Sequence, residues 1–228
     1  MYYDIPALNT RILGSVHVIP ATAVSLPLWA LRAFEEAELV EIEHDHAELE
    51  ACFVDAATGT LKPWAQIFSK LRQMLAQAAP SLQLGVEGIF AGWLQERGRP
   101  PVTYIETGRS FADLLDSVPL ADLAKAAAAM DASASLMVPN IVALHSAWDR
   151  CDYVALAKLQ ETSPLASVPS LRRAAFTARN EAWANTIISR GASEKRQLIV
   201  VGALHLVGPD SLLDQLVARG LTVNLLIG

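Results

Sequence analysis

Two histidines follow strand-like segments in the same local pattern near opposite ends of the chain. His17 lies three residues after Gly14, and His205 lies three residues after Gly202. Each glycine ends an apolar run typical of a buried strand, and open α/β sheets bind ligands beyond the carboxyl ends of their strands. A single strand-end histidine is more often structural. Because the pattern occurs twice in matching positions, we predict that His17 and His205 share one site.

Two glutamates at predicted strand ends extend this set of candidate residues. Glu43 ends the apolar segment 39–43, and Glu106 ends the short segment 102–106. Two imidazoles with one or two carboxylates form an open site suited to Zn, Mn, Fe or Co. Such an ion polarises a carbonyl and lowers the pKa of bound water, and a glutamate not bound to it can act as general base. The predicted ligands of a divalent metal (Mn, Co or Zn) are His17, Glu43, Glu106 and His205.

An arginine lies on the apolar face of the predicted helix 170–190. Arg179 falls between Phe176 and Trp183 at helical spacing, and an unpaired buried charge is too costly to persist. Two interpretations stay open. Arg179 holds a substrate carboxylate or a developing oxyanion, or it is a structural ion-pair partner of Glu43 or Glu106.

Other residues with metal-binding or nucleophilic side chains are predicted to lie outside the site. His44 and His46 flank Asp45 and are predicted to lie in a solvated loop. Cys52 and Cys151 lack any Cys-x-x-Cys spacing, so they predict neither a metal site nor a disulfide, and a reduced compartment is expected.

The elements that must position these side chains suggest an α/β fold with a central β-sheet flanked by helices. Both ends predict a β-α-β unit, so the chain resembles two pseudo-repeated halves with a helical middle region. The N-terminal unit is strand 11–19, helix 27–37 and strand 39–43, and the C-terminal unit is strand 197–202, helix 210–219 and strand 221–227. Between them are predicted helices at 62–75, 85–97, 111–118, 121–135, 144–160 and 170–190, the strand 102–106, and an ambiguous stretch at 47–62.

Bulk properties narrow the class of protein. With 228 residues, 52% of them hydrophobic, the chain suits one domain spanning 1–228. A net charge of −6 argues against a nucleic-acid partner, because phosphate binding needs a basic surface. There is no apolar run of about 18 residues, which predicts no membrane span. No signal peptide is recognised, so a cytoplasmic location is expected, or a secreted or periplasmic one if a signal was removed.

Eight short motifs are spread along most of the chain: Leu13–Val18, Ala37–Asp45, Gly85–Glu87, Ile105–Thr107, Trp148–Asp152, Arg179–Trp183, Val201–Asp210 and Ala218–Gly220. Each alone is weak, but in this order and spacing they are specific. Together they resemble the TraB/GumN family, which includes PrgY-like pheromone-shutdown proteins and the TIKI metalloproteases.

The resemblance implies an α/β fold of two similar halves, related to erythromycin esterase-like and ChaN-like proteins. Its TIKI members imply a Mn- or Co-dependent peptidase centred on His17, Glu43, Glu106 and His205, with Arg179 and Asn180 beside it as further catalytic candidates. One departure concerns the segment after Ile105–Thr107, where the family usually has a Glu-Gln pair and this chain has Ser110 and Phe111.

The sequence is therefore compatible with three functions. The first is a metal-dependent hydrolase, peptidase-like and acting on peptide or amide bonds. The second is a metal-independent, esterase-like hydrolase in which a histidine beside a glutamate is the general base. The third is a non-catalytic protein that binds and sequesters a peptide. The expected partner is a peptide or small-molecule substrate, and a homo-oligomer is left open.

Overall fold

The computed structural model describes residues 1–23, 25–78 and 81–227. Its centre is a six-stranded sheet with helices around it, so the predicted α/β class is confirmed. In chain order the strands are β1 (Tyr2–Ile5), β2 (Thr10–Ser15), β3 (Val18–Pro20), β4 (Leu39–Ile42), β5 (Leu82–Leu84), β6 (Thr103–Tyr104), β7 (Gln197–Gly202) and β8 (Asn224–Ile227).

The large sheet has the strand order β6-β4-β7-β2-β1-β8. Strands β6, β4, β7 and β2 are parallel, whereas β1 is antiparallel to both of its neighbours, β2 and β8. Strands β3 and β5 form a separate antiparallel pair. The strand β1, at the start of the chain, was not predicted.

The helices pack around the sheet and form most of the middle of the chain, as predicted. They are α1 (Leu28–Glu36), α2 (His46–Ala51), α3 (Pro63–Ala78), α4 (Val86–Glu96), α5 (Gly108–Asp116), α6 (Leu120–Ala132), α7 (Met137–Asp149), α8 (Tyr153–Glu161), α9 (Pro169–Arg172), α10 (Ala178–Arg190) and α11 (Leu212–Ala218). No single helix in the described ranges is long and apolar enough to cross a membrane, although α6 and residues 134–149, bent by 58°, pass that test as a pair.

Strand β7 lies at the centre of the sheet, between β2 and β4. Its residues Leu198–Val201 are at most 1% exposed, as expected for a parallel strand covered on both faces. Ser15 at the end of β2 lies opposite Gly202 at the end of β7. The two Gly-x-x-His segments therefore leave the same edge of one sheet, as predicted. The two β-α-β units interleave, because β7 inserts between the N-terminal strands.

The predicted strand 11–19 is wrong as one continuous strand. It ends at Ser15, and the chain resumes as β3 two residues later. At the break, the carbonyls of Val16 and His17 accept hydrogen bonds from the amides of Val86 and Gly85 at the start of α4. Val16 and His17 do not continue the strand, because their carbonyls accept hydrogen bonds from amides at the N-terminus of α4.

The predicted helix 144–160 is also wrong as one helix, since α7 and α8 are separated there. Cys151 adopts a positive φ of 53°, which a continuing helix excludes. The Asp152 side chain then accepts from the amide of Ala155 and caps α8. A local Asp cap therefore outweighs the apolar periodicity across the break.

The predicted helix 170–190 is present but irregular. A π-helical turn, Arg173–Thr177, separates α9 from α10. Such turns shift the register of the residues that follow and often occur at functional sites. Arg179 lies just beyond this turn, in the first turn of α10.

Smaller differences concern element ends. The ambiguous stretch at 47–62 contains α2, whose first turn is capped by Asp45. The helix predicted at 111–118 begins earlier, at Gly108, because the Thr107 side chain caps it by accepting from the amide of Ser110.

Candidate functional site

The carboxyl ends of β2, β4 and β7 open into a cavity of about 330 Å³. Its lining includes four of the sequence-predicted residues: His17, Glu43, Arg179 and His205. His17 lies in the break after β2, Glu43 follows β4 directly, and His205 lies in a 3₁₀ turn after β7. The prediction that both histidines face one crevice is confirmed.

Arg179 is the cation around which this site is organised. It is 4% exposed, and its Nη2 donates to Oε2 of Glu43 at 2.6 Å. Its Nε donates to Oε1 of Glu106 at 2.8 Å. The interpretation of Arg179 as an ion-pair partner is confirmed, and the partner is both glutamates. Burial raises the pKa of the Glu43 carboxyl, but Arg179 outweighs it and holds that pKa well below its ordinary value.

The remaining faces of the Arg179 guanidinium are also covered. Aromatic rings lie on it, with the ring centre of Phe111 at 4.0 Å and that of Trp183 at 4.5 Å from the guanidinium carbon. Its Nη1 donates to the carbonyl of Ala175 at 3.4 Å and lies 3.3 Å from Nε2 of His205. Since each of its nitrogens has a partner among the described residues, Arg179 holds the glutamates in place.

His205 is buried and held in one tautomer. The Asn180 amide donates to the carbonyl of Asp210 at 2.9 Å, so its oxygen is the atom that meets Nδ1 of His205 at 2.7 Å. Nδ1 is therefore protonated, and Nε2 accepts from Arg179. Burial, with Arg179 adding to it, lowers the pKa of His205 to about 3. His205 is a neutral residue fixed by Asn180, which positions the ring.

Glu43 also binds the backbone of the central strand. Its Oε1 accepts from the amide of Gly202 at 2.6 Å. A methyl group at Gly202 would lie 3.2 Å from both Oε1 of Glu43 and Nε2 of His17. Glycine at the end of β7 thus lets the carboxylate and the imidazole approach the strand end.

His17 has a different environment from His205. Its side chain is 53% exposed, and its Nδ1 lies 3.1 Å from Oε1 of Glu87 in the first turn of α4. The Ser15 hydroxyl donates to the same oxygen. The Glu87 carboxylate raises the pKa of His17 to about 9. Burial opposes ionisation of Glu87, but His17 and Ser15 keep its pKa below the ordinary value.

The other imidazole nitrogen of His17 faces the cavity. Its Nε2 lies 3.9 Å from Oε1 of Glu43, which is too far for a direct hydrogen bond. Ser15, Glu87 and His17 therefore form a chain of polar contacts that ends on an accessible nitrogen.

His44 was predicted to lie in a solvated loop, and that prediction is wrong. It is 5% exposed, its Nδ1 lies 3.5 Å from Oε1 of Glu106, and its Nε2 is buried with no hydrogen-bond partner in the described part of the chain. His44 packs against Phe111 of α5, and their ring centres lie 5.4 Å apart. His46, by contrast, is exposed as predicted, but it begins α2 instead of lying in a loop, and it lines the cavity.

Two residues of the site were missed from the sequence, Glu87 and His44. Glu87 carried only a family motif signal, Gly85–Glu87, and its contact with His17 spans 70 positions. The structure brings together five of the predicted residues: Glu43, Glu106, Arg179, Asn180 and His205. His17 is linked to this group by its proximity to Glu43.

A divalent metal fits this arrangement poorly. Three of its four predicted ligands, Glu43, Glu106 and His205, face the Arg179 guanidinium, which already neutralises the two carboxylates. A second cation at that point would repel the first at close range. Metal binding by His17, Glu43, Glu106 and His205 stays a prediction, and it requires Arg179 to move.

A mixed sheet flanked by helices, with a charged cavity at its strand ends, defines the class as an α/β protein with a cavity at the strand-end crevice. A family model described as TraB/PrgY/gumN family matches residues 47–225. The chain belongs to the TraB/PrgY/gumN family, which confirms the resemblance seen in its motifs. Searches of curated proteins and of solved structures found no match.

Proposed function

We propose that this protein is a hydrolase of carboxylic ester or amide bonds in which His17 is the general base. The observation that carries the proposal is the contact of 3.1 Å between Nδ1 of His17 and Oε1 of Glu87. A buried carboxylate on one imidazole nitrogen fixes the tautomer of the neutral ring, and above the His17 pKa of about 9 the other nitrogen is free to accept a proton.

In this reaction His17 acts first as a base and then as an acid. Its Nε2 takes a proton from a water molecule that also donates to Glu43, and the water oxygen bonds to the carbonyl carbon. The bond from that carbon to the leaving oxygen or nitrogen then breaks, and the leaving atom takes the proton from His17. Arg179 keeps Glu43 ionised and oriented, so it is a positioning residue.

Hydrolysis of a panel of esters and peptides after exhaustive treatment with EDTA tests this proposal. His17→Gln should lower kcat/KM by about 10² to 10⁴-fold, the usual contribution of a general base. The matched control is His145→Gln on α7, which lies outside the cavity lining and should leave the rate unchanged. Equal rates for the two variants would contradict the proposal.

A second candidate is a metal-dependent, peptidase-like hydrolase, and one observation favours it. Glu43, His44 and Glu106 each offer a ligand atom, and these atoms lie within 4.8 Å of one another. A metal bound there in place of the Arg179 guanidinium, whose Nη2 contacts all three residues, would polarise a carbonyl and lower the pKa of bound water. Metal analysis of protein prepared without chelator tests it. Activity that disappears with EDTA and returns with Mn, Co or Zn would support this candidate over the first.

A further inference from the structure

A second cavity adjoins the catalytic one. It measures about 310 Å³, and both cavities share part of their lining, including His17, Leu71, Leu144 and Leu165. His17 thus lies at the boundary between a charged compartment and a second compartment of similar size. Cavities of this volume are typical of small-molecule sites.

The chemistry of the second cavity is apolar. Apart from His17, the described residues that line it carry no ionisable side chain. Three of the chain's four methionines line it, Met74 from α3, Met130 from the end of α6 and Met137 from the start of α7. Methionine side chains are unbranched, flexible and polarizable, so they adapt to a ligand with many conformations. We call this space the methionine cavity.

We propose that the methionine cavity binds an unbranched aliphatic acyl chain, so that the substrates are esters or amides of aliphatic carboxylic acids. This inference rests on the proposed hydrolase function. The carbonyl to be attacked lies at His17, where the two cavities meet, and its aliphatic chain extends between α3 and α7. The leaving group occupies the charged cavity near Glu43.

A series of p-nitrophenyl esters from acetate to dodecanoate tests the substrate class. Each methylene buried in the methionine cavity should raise kcat/KM about 4-fold, until the cavity is filled and the rise stops. A peptidase without this preference would show the same kcat/KM along the series, which would overturn the inference.

Two variants test whether the preference for longer acyl chains arises in the methionine cavity. Met137→Gln puts an amide among the methionines and should lower the ratio of kcat/KM for octanoate over acetate at least 10-fold. The control, Leu136→Gln, changes the adjacent residue, which is 53% exposed and outside the lining, and should retain that ratio. A ratio unchanged by Met137→Gln would overturn the inference.

A binding measurement separates this inference from the reaction. Calorimetry with 2-nonanone, a ligand with the acyl chain and no bond that hydrolysis can cleave, should show saturable binding to wild-type and to His17→Gln protein. Met137→Gln should weaken it at least 10-fold. Binding that depends on Met137 in a protein that hydrolyses no ester would overturn the proposed reaction while supporting the cavity's ligand class. No binding to the wild-type protein would overturn the inference itself.

Discussion

Nδ1 of His17 and Oε1 of Glu87 lie 3.1 Å apart, and this contact stabilises the protonated form of His17. Because the Glu87 carboxylate stabilises the imidazolium, the pKa of His17 is raised to about 9. A general base must be deprotonated, so kcat/KM should rise with pH up to about 9.

Replacing Glu87 tests that relationship. In Glu87→Gln the amide cannot stabilise the imidazolium, so the midpoint of the rising limb of kcat/KM should move from about 9 towards the ordinary histidine value of about 6.5. Glu96→Gln, at the exposed far end of α4, is the matched control and should keep the wild-type midpoint. A Glu87→Gln profile identical to wild type would show that another group is the base.

The contact of Arg179 with Glu43 and Glu106 predicts a large loss of stability on removal of the cation. Arg179→Met leaves two buried carboxylates without their counter-ion and should cost about 3–5 kcal/mol of unfolding free energy, measured by denaturant titration. Arg109→Met removes an ion pair with Asp113 in which both side chains are well exposed. That control should cost less than about 1 kcal/mol.

A triple variant examines the cause of that loss. Replacing both Glu43 and Glu106 by glutamine in the Arg179→Met protein removes the uncompensated charges. Part of the lost stability should return if charge burial is the reason, whereas a further loss would indicate that packing of the arginine side chain dominates.

The low pKa of His205 predicts that acid weakens the fold in a defined window. The unfolded chain binds a proton at His205 below about pH 6.5, whereas the folded chain binds it only near pH 3. Stability contributed by His205 is therefore complete above about pH 6.5 and falls as the pH is lowered, by at most about 1.4 kcal/mol per pH unit.

The imidazole signals of His205 in NMR spectra provide the measurement. Between pH 6.5 and 5 they should stay those of the neutral ring protonated on Nδ1, while the unfolding free energy declines. A His205 ring that titrates near pH 6.5 in the folded protein would contradict this prediction.

The raised pKa of His17 predicts that the unfolding free energy falls as the pH rises into the alkaline range. Its folded pKa of about 9 lies above the unfolded value of about 6.5, so the folded chain retains a proton that the unfolded chain has lost. Its contribution is complete below about pH 6.5 and disappears as the pH rises through about 9. The unfolding free energy of His17→Gln, measured from pH 6.5 to 9, should therefore decline less steeply than that of wild type.

Gly85 predicts a steric test of how His17 is held. A methyl group at Gly85 would overlap the carbonyl of Val16 and the backbone of His17, so Gly85→Ala should shift His17 and cost about 1–3 kcal/mol. Gly92, in the middle of α4, has open space at the same point. Gly92→Ala should stabilise the protein by about 0.5–1 kcal/mol, because alanine is the better helix former. Both effects are measured by thermal unfolding and by ester hydrolysis.

The sequence predicted the parts of the site whose residues lie close to one another along the chain. The apolar run of β7, the glycine that ends it and His205 lie close together in the sequence, and an arginine among aromatic residues on one helix face indicated a buried cation that needs an anionic partner. Glu87 and His44 carried no comparable signal. The role of Glu87 depends on α4 packing beneath the break after β2, and the polar context of His44 concealed its burial.

Hydrophobic periodicity could not predict the break after β2 or the π-helical turn before Arg179. The break at Val16 and His17 exists because α4 supplies hydrogen bonds from distant positions, and the π-helical turn before Arg179 adds a residue without changing the apolar pattern. In both places long-range packing, absent from any local window of sequence, decides the backbone conformation.

The position of β7 between β2 and β4 has a consequence for how the protein is made. During synthesis, the ribosome releases β2 and β4 more than 150 residues before the strand that joins them, and each has an unpaired edge until then. Contacts over such separations close slowly. The nascent chain is therefore most vulnerable to aggregation just before β7 emerges, and the charged site forms in the same event that closes the sheet.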